Sequence, residues 1–339
     1  MNQPALVEAK GLTKRFAVRT PTGRRTLTAV DNVDVRVDKG EIMALVGESG
    51  CGKSTTGRML LALERPDEGR VEIEGKDLFK LSGRELREIR RDIQPVSQDP
   101  YDSLNGRKNI SRLLSEPARA HGIDPPPGRS VPELLELVGL SPDYAQRFPH
   151  ELSGGQRQRI SIARAIALDP KFLVLDEPVS ALDVSVQAQI VNLLSRLRRE
   201  LALAYVFISH DLALVRYLAD ETAVMYLGRI VERGRTVDLF ENPRHPYSQL
   251  LLASVPRPRI MDRSMRLRRD EITVSLGDVP SPLDRPSGCV FSSRCPLATE
   301  LCRREVPALR KGEGFSQSVA CHYAETADIA TGIKGVTVS

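Results

Sequence analysis

Tryptophan is absent from the 339 residues, and aromatic side chains of all kinds make up only 4%. Proteins that hold single-stranded nucleic acid stack bases on aromatic platforms, and this chain has few to offer. Its net charge of +5, from 49 Lys and Arg against 44 Asp and Glu, is a mild excess that suits an anionic ligand or a membrane surface and demands neither. No nucleic-acid partner is expected. No apolar run approaches the roughly 18 residues that a membrane-spanning helix needs; the longest candidates, around Leu201 to Ile208, are of strand length. Met1 to Gly11 lacks the basic start and apolar stretch of a secretory signal, so the cytosol is the expected address. With 41% apolar and 27% charged residues, the composition is that of ordinary globular domains, which excludes collagen-like, disordered and disulfide-dense small scaffolds. The length fits about two domains.

What is present has a clear order and no internal repeat. Glu41 to Val46 is a short apolar run leading into a Gly-rich turn, and Lys53 to Leu63 then carries apolar residues at helical spacing; this predicts strand, loop, helix. Lys171 to Leu175 and Ala204 to Ile208 are two more buried-type runs, separated by a helical stretch from about Val184 to Leu201. Alternating strands and helices imply a parallel sheet. Short alternating segments near the N-terminus and around Val71 to Ile73 predict antiparallel hairpins at one edge, and Pro95 argues against Ile93 to Ser97 as a central strand. From about residue 99 to 160 the texture becomes helical, with Pro-rich breaks. After Pro256, a basic run of Arg257, Arg259, Arg263, Arg266, Arg268 and Arg269 precedes a Pro-, Cys- and Gly-containing tail. The basic run reads as a solvated linker or as a contact for anionic lipid headgroups.

Gly47-Glu48-Ser49-Gly50-Cys51-Gly52-Lys53-Ser54, followed by Thr55, is the phosphate-cradling pattern in its proper place between strand and helix. Glycines let backbone amides converge on a phosphate, and the helix start adds positive potential. Lys53 would neutralise β and γ oxygens, Ser54 would ligate Mg²⁺, and Cys51 is a bystander whose backbone alone is used. Asp176-Glu177 closes the run Phe172 to Leu175, where ligands bind in parallel sheets. Asp176 is placed to hold Mg²⁺, and Glu177 to polarise a water as general base. Ser153-Gly154-Gly155-Gln156 opens the helix Arg157 to Leu168 and forms a second anion site. One chain needs only one cradle, so this second site is expected to face the ATP of another protomer.

In their order, these segments resemble the Walker A, Walker B and signature motifs of ATP-binding-cassette ATPases. Ser180-Ala181-Leu182-Asp183 is similar to that family's D-loop, and Ile208-Ser209-His210-Asp211 to its switch histidine. Gln98, in Ser97-Gln98-Asp99-Pro100-Tyr101, resembles the Q-loop glutamine that senses the γ-phosphate and Mg²⁺ and couples to the membrane partner; Phe16 resembles the aromatic that stacks on adenine. The resemblance implies an α/β fold: a P-loop NTPase with a RecA-like parallel sheet, an antiparallel β edge subdomain, a helical signature subdomain and a small C-terminal Cys-containing module. It divides the chain into a nucleotide-binding domain over 1–254 and a basic linker plus Cys module over 255–339.

The likeness is closer to one branch, the ATPase subunits of dipeptide and oligopeptide importers. It rests on Gly47 to Thr55, Gln98 to Asn105, Glu177 to Gln187 and His245-Pro246-Tyr247. Ser54 to Arg58 and Phe207 to Tyr217 resemble the second of the two nonidentical ATPases such importers carry. Ser97 stands where the branch has Phe, and Gly106 where it has Pro. The implied partners are two transmembrane permease subunits, a sister ATPase and, indirectly, an extracytoplasmic peptide-binding protein. The implied place is peripheral, on the cytoplasmic face of the inner membrane. Soluble cassette ATPases of DNA repair or translation usually add a coiled-coil insertion or a second cassette, and exporters lack the His-Pro-Tyr segment and Cys-rich tail. Nickel or another small solute stays open as cargo.

Cys289, Cys295, Cys302 and Cys321 crowd the tail. In a reducing compartment four thiols suggest metal before disulfides, although neither ferredoxin spacing nor C-x-x-C is present. Gly288-Cys289, Arg294-Cys295-Pro296 and Ala320-Cys321-His322 resemble elements of the peptide-importer module, some members of which bind a [4Fe-4S] cluster through such cysteines. Zinc and unligated buried thiols remain alternatives.

Overall fold

Five residues, Ile42–Val46, are buried without exception, which happens when a strand is flanked by neighbours and covered on both faces. In the computed structural model, which describes residues 5–21, 23–98, 104–253, 280–328 and 332–333, this segment is the third strand, β3. It lies between β8 (Ala204–Ile208) and β9 (Glu221–Tyr226), parallel to both. β7 (Phe172–Asp176) and β6 (Ile93–Val96) continue the parallel sheet on the β8 side. β10 (Arg229–Arg235) extends it antiparallel beyond β9. β6 pairs only with β7 and is the last strand in the order. Pro95 is thus accommodated at an edge, where a missing N–H costs nothing.

Alternation along the strands sorts side chains onto two faces. Met43, Leu45, Phe172, Val174, Val206, Ile208 and Met225 share one core with α1 (Lys53–Leu60) and a second sheet. That sheet has the order β2-β1-β4-β5 and is built from β1 (Val7–Thr20), β2 (Gly23–Val37), β4 (Glu68–Ile73) and β5 (Lys76–Asp77). It is a separate sheet, and its first two strands run to 14 and 15 residues, longer than the short segments the sequence predicts. Register shifts between Ala9 and Arg15 break the pairing and let so long a hairpin bend over the core. α2 (Gly83–Asp92), opened by a Ser82–Glu85 capping box, leads into β6.

Ile42, Ala44, Val46, Leu173, Leu175, Tyr205, Phe207 and Tyr226 form the other core. It takes in α3 (Ile110–His121), α4 (Val131–Leu137), α5 (Gly154–Ala165) and α6 (Val184–Leu201), the region read as helical from the sequence. α7 (Leu212–Leu218), α8 (Thr236–Glu241) and α9 (Pro246–Ala253) follow. The tail adds α10 (Glu300–Arg304) and short strands, among them β11 (Arg310–Lys311) and β12 (Ser318–Val319). β12 pairs with β10 through Glu232 and Arg233, so the tail completes an eight-stranded sheet. Cys289, Val290, Phe291 and Cys302 belong to the same buried core as Tyr226 and Tyr247. The arginines from Arg257 to Arg269 lie outside the described residues, as do Asp99, Pro100 and Tyr101. Among the described residues no helix is long and apolar enough to cross a membrane.

Candidate nucleotide site

The turn between β3 and α1 is shaped by glycines that nothing larger could replace. Gly47 (φ 152°) and Gly52 (φ 107°) have backbones that L side chains rarely adopt, and a Cβ on them would lie 2.1 Å from the Met225 carbonyl and 2.2 Å from the Ala29 carbonyl. The loop is also tied to the β9–β10 turn, where Gly228 N donates to Cys51 O at 2.9 Å. Lys53 is buried, its Nζ donating to the Gly47 and Glu48 carbonyls at 2.8 and 3.0 Å. The Cys51 side chain points into the core, 3.8 Å from Lys53 Nζ, and Ser49 and Gly50 are exposed at the mouth. Ser54 and Thr55 begin α1, and the Ser54 hydroxyl donates to Asp176 Oδ1 at 3.0 Å. Burial, reinforced by the charge of Glu177, holds the Asp176 carboxyl above its usual range, while Ser54 pulls the other way.

At the ends of β6, β7 and β8, three residues far apart in sequence meet on one oxygen. Gln98 Nε2 donates to Glu177 Oε2 at 3.1 Å, and His210 Nδ1 lies 3.3 Å from the same atom. Glu177 is left-handed (φ 46°) and its N–H donates to Ile208 O at 3.0 Å. A non-glycine residue in that conformation is strained and is found where the position of a side chain matters. Phe16 is half-buried on β1, opposite Leu27 and two residues along β2 from the Ala29 that meets Gly52, with Lys14 Nζ 5.4 Å from its ring centre.

The Ser153-to-Gln156 segment opens α5 as a capping box, Gln156 N donating to Ser153 Oγ and Ser153 N to Gln156 Oε1. Its other contacts run to Tyr144, whose hydroxyl accepts from Gln156 Nε2 at 3.0 Å, and to Leu182 and Val186, which meet Gly154 and Gly155. None of these partners belongs to the loop from Gly47 to Ser54.

The chain is similar to known proteins in sequence and in fold. Residues 30–180 match the family model of the ABC transporter, and residues 231–302 that of the oligopeptide/dipeptide transporter C-terminal region. The oligopeptide transport ATP-binding protein AppF of Bacillus subtilis is 45% identical over 327 residues, covering 95% of this chain and 98% of that protein. The chain belongs to the ABC transporter family of ATPases. The di/tripeptide transport ATP-binding protein DppF of Pseudomonas aeruginosa is 44% identical over 94% of this chain and 98% of its own. Among solved structures, the dimeric post-hydrolysis state of the cassette MJ0796 bound to ADP and Pi superimposes with a TM-score of 0.60 at 30% identity, covering 68% of this chain and 98% of that one.

One feature escaped the sequence reading of this ATPase. His245-Pro246-Tyr247 marked the branch without a role. In the fold, the buried Glu232 carboxylate accepts from Arg244 N and His245 N, both at 2.9 Å. Burial pushes the His245 imidazole down to about 3, so its Nδ1 stays an acceptor, here for Tyr247 N at 3.0 Å. Tyr247 is thereby aimed at the phosphate loop, its hydroxyl accepting from Glu48 N at 3.0 Å. The four tail thiols, grouped as one candidate set from the sequence, do converge in the fold. Cys289, Cys295, Cys302 and Cys321 line one small cavity, together with His245, Phe291, Tyr323 and other residues. The turn into it is tight, since a Cβ on Gly288 would lie 2.4 Å from Cys302 O. No disulfide joins these thiols. Among the described residues no three His, Cys, Asp or Glu side chains are grouped so as to hold a metal ion.

Proposed function

We infer that this chain is the ATP-hydrolysing subunit that energises the import of dipeptides or oligopeptides through a membrane ABC transporter. The observation that carries the reading is the meeting of Gln98, Glu177 and His210 beside a glycine-built phosphate loop, in a chain whose relatives are peptide-transport ATP-binding proteins. Lys53 and the loop amides bind the triphosphate; Ser54, Asp176 and Gln98 hold Mg²⁺, which offsets phosphate charge when bound. Glu177 takes a proton from the attacking water, with His210 and Gln98 fixing its carboxylate, and Phe16 stacks on the base. Ser153 to Gln156 serve the ATP of a second ATPase subunit, a reading supported by their contacts with Tyr144, Leu182 and Val186 at the start of α5. The nucleotide-binding domain spans 1–254 and the Cys module 255–339. Two permease subunits anchor the assembly at the cytoplasmic face of the inner membrane, and an external binding protein delivers the peptide. In vesicles holding both permeases and both ATPases, a loaded peptide-binding protein should stimulate hydrolysis and drive uptake. Hydrolysis indifferent to the permeases and to peptide would refute the reading.

For the thiol cavity we propose a [4Fe-4S] cluster, with zinc as the alternative. A cluster spreads its thiolates over separate irons, which suits four cysteines ranged around one cavity. Bound there, it would cross-link the tail and supply counter-charge to the thiolates. Anaerobically purified chain should contain iron and acid-labile sulfide in equal amounts, with broad visible absorption that Cys302→Ser abolishes. Stoichiometric zinc, or neither metal, would exclude it.

A further inference from the structure

Glu48 is the second residue of the phosphate loop, which places a carboxylate beside a ligand that carries several negative charges. Unmatched, such a charge would oppose binding. The match comes from 246 residues away: Arg294 Nη1 donates to Glu48 Oε1 and Oε2 at 3.1 and 2.9 Å. The pair is largely shielded from water, with side-chain exposures of 12% and 29%, so its attraction is screened less than that of a surface ion pair. Arg294 is itself held in place. Its guanidinium lies 5.8 Å from the Tyr226 ring centre, and Nη1 is 3.4 Å from the Tyr226 hydroxyl. Tyr226 packs against Tyr247 and Phe291 at ring separations of 4.6 and 5.2 Å. The Cys module therefore reaches the loop through the Glu48 carboxylate, while Tyr247 holds the Glu48 N–H.

We propose that Arg294 is a positioning residue for ATP binding: it neutralises and orients Glu48, making the C-terminal module a working part of the nucleotide site. The proposal rests on the ATPase activity of the family and is independent of what the thiol cavity holds. Since Arg294 directly precedes Cys295 and Phe291 lines the cavity, any change that shifts this turn is passed to the loop at Glu48.

The test measures Mg-ATP affinity by calorimetry, together with kcat, on the full chain. Arg294→Ala should weaken affinity on the order of tenfold, with a smaller deficit at high salt and little change in kcat. Arg294→Lys, which keeps a donor and the charge, should restore most of it. The discriminating variant is Glu48→Gln/Arg294→Ala: with no carboxylate left to neutralise, its affinity should fall within about twofold of Glu48→Gln alone. A purely structural role would leave the double variant as weak as Arg294→Ala, and that result overturns the proposal, as does wild-type affinity in Arg294→Ala. If Arg294→Ala unfolds, Arg294→Gln, which keeps a planar polar group against Tyr226, replaces it in the same cycle.

Discussion

Glu177→Gln is expected to bind Mg-ATP about as well as the unmodified chain and to hydrolyse it roughly 10²- to 10⁴-fold more slowly, the usual loss when a general base is removed. The geometry separates the two effects. Lys53 bonds the Gly47 and Glu48 carbonyls and Ser54 bonds Asp176, whereas Glu177 meets Gln98 and His210, so the binding half of the site survives. The amide is nearly isosteric with the carboxylate, and its oxygen can still accept from Gln98 Nε2 and hold His210 in register. What it lacks is the capacity to take a proton. The left-handed backbone at Glu177, tied to Ile208 O, is indifferent to the change, so stability should move by less than about 0.5 kcal/mol. Single-turnover hydrolysis in the assembled transporter, set beside equilibrium nucleotide binding, measures both halves. Near-normal turnover would remove Glu177 from its role and leave water activation to another group.

Much of the fold was legible because local chemistry dictates it. Glu41 to Val46 reads as a strand leading into a Gly-rich turn, Gly47 to Ser54 as a phosphate loop, and Pro95 as a residue that does not belong in a central strand. The meeting of Gln98, Glu177 and His210 was legible in a different way. Nothing in their spacing brings them together; a known motif order does, and the parallel arrangement of β6, β7 and β8 supplies the physical reason. The tail was least legible. β11 and β12 have two residues each, too few for any period to show, and their place at the sheet edge depends on β10. Phe291 lies in the Pro-, Cys- and Gly-containing tail, yet it is 1% exposed and fills the core beside Tyr226 and Tyr247. The Arg294–Glu48 pair is a long-range contact between two charged residues that are each unremarkable alone. Only folding the tail against the cassette reveals it.

Gly52→Ala is expected to abolish ATP binding and to destabilise the chain at the same time. Two costs coincide at this position. Its φ of 107° is outside the range a Cβ tolerates, and the added carbon would sit 2.2 Å from the Ala29 carbonyl oxygen and 2.8 Å from Met225 Cε. The methionine tip can swing aside, but Ala29 is backbone within β2 and cannot move without shifting the hairpin that carries Phe16. Relief must therefore come from the loop itself, which carries the amides aimed at phosphate, the N-cap of α1 and the start of the Lys53 side chain. Gly50→Ala separates strain from collision, because Gly50 also has a positive φ, 76°, while nothing lies within 4 Å of its added Cβ. That variant should lose only about 1–2 kcal/mol of stability, whereas Gly52→Ala should lose more than about 3 kcal/mol, as expected when backbone must be displaced. Thermal unfolding of both variants, followed by nucleotide titration, makes the comparison. Equal stabilities would mean that the Ala29 carbonyl yields readily and that the phosphate loop is not held against β2.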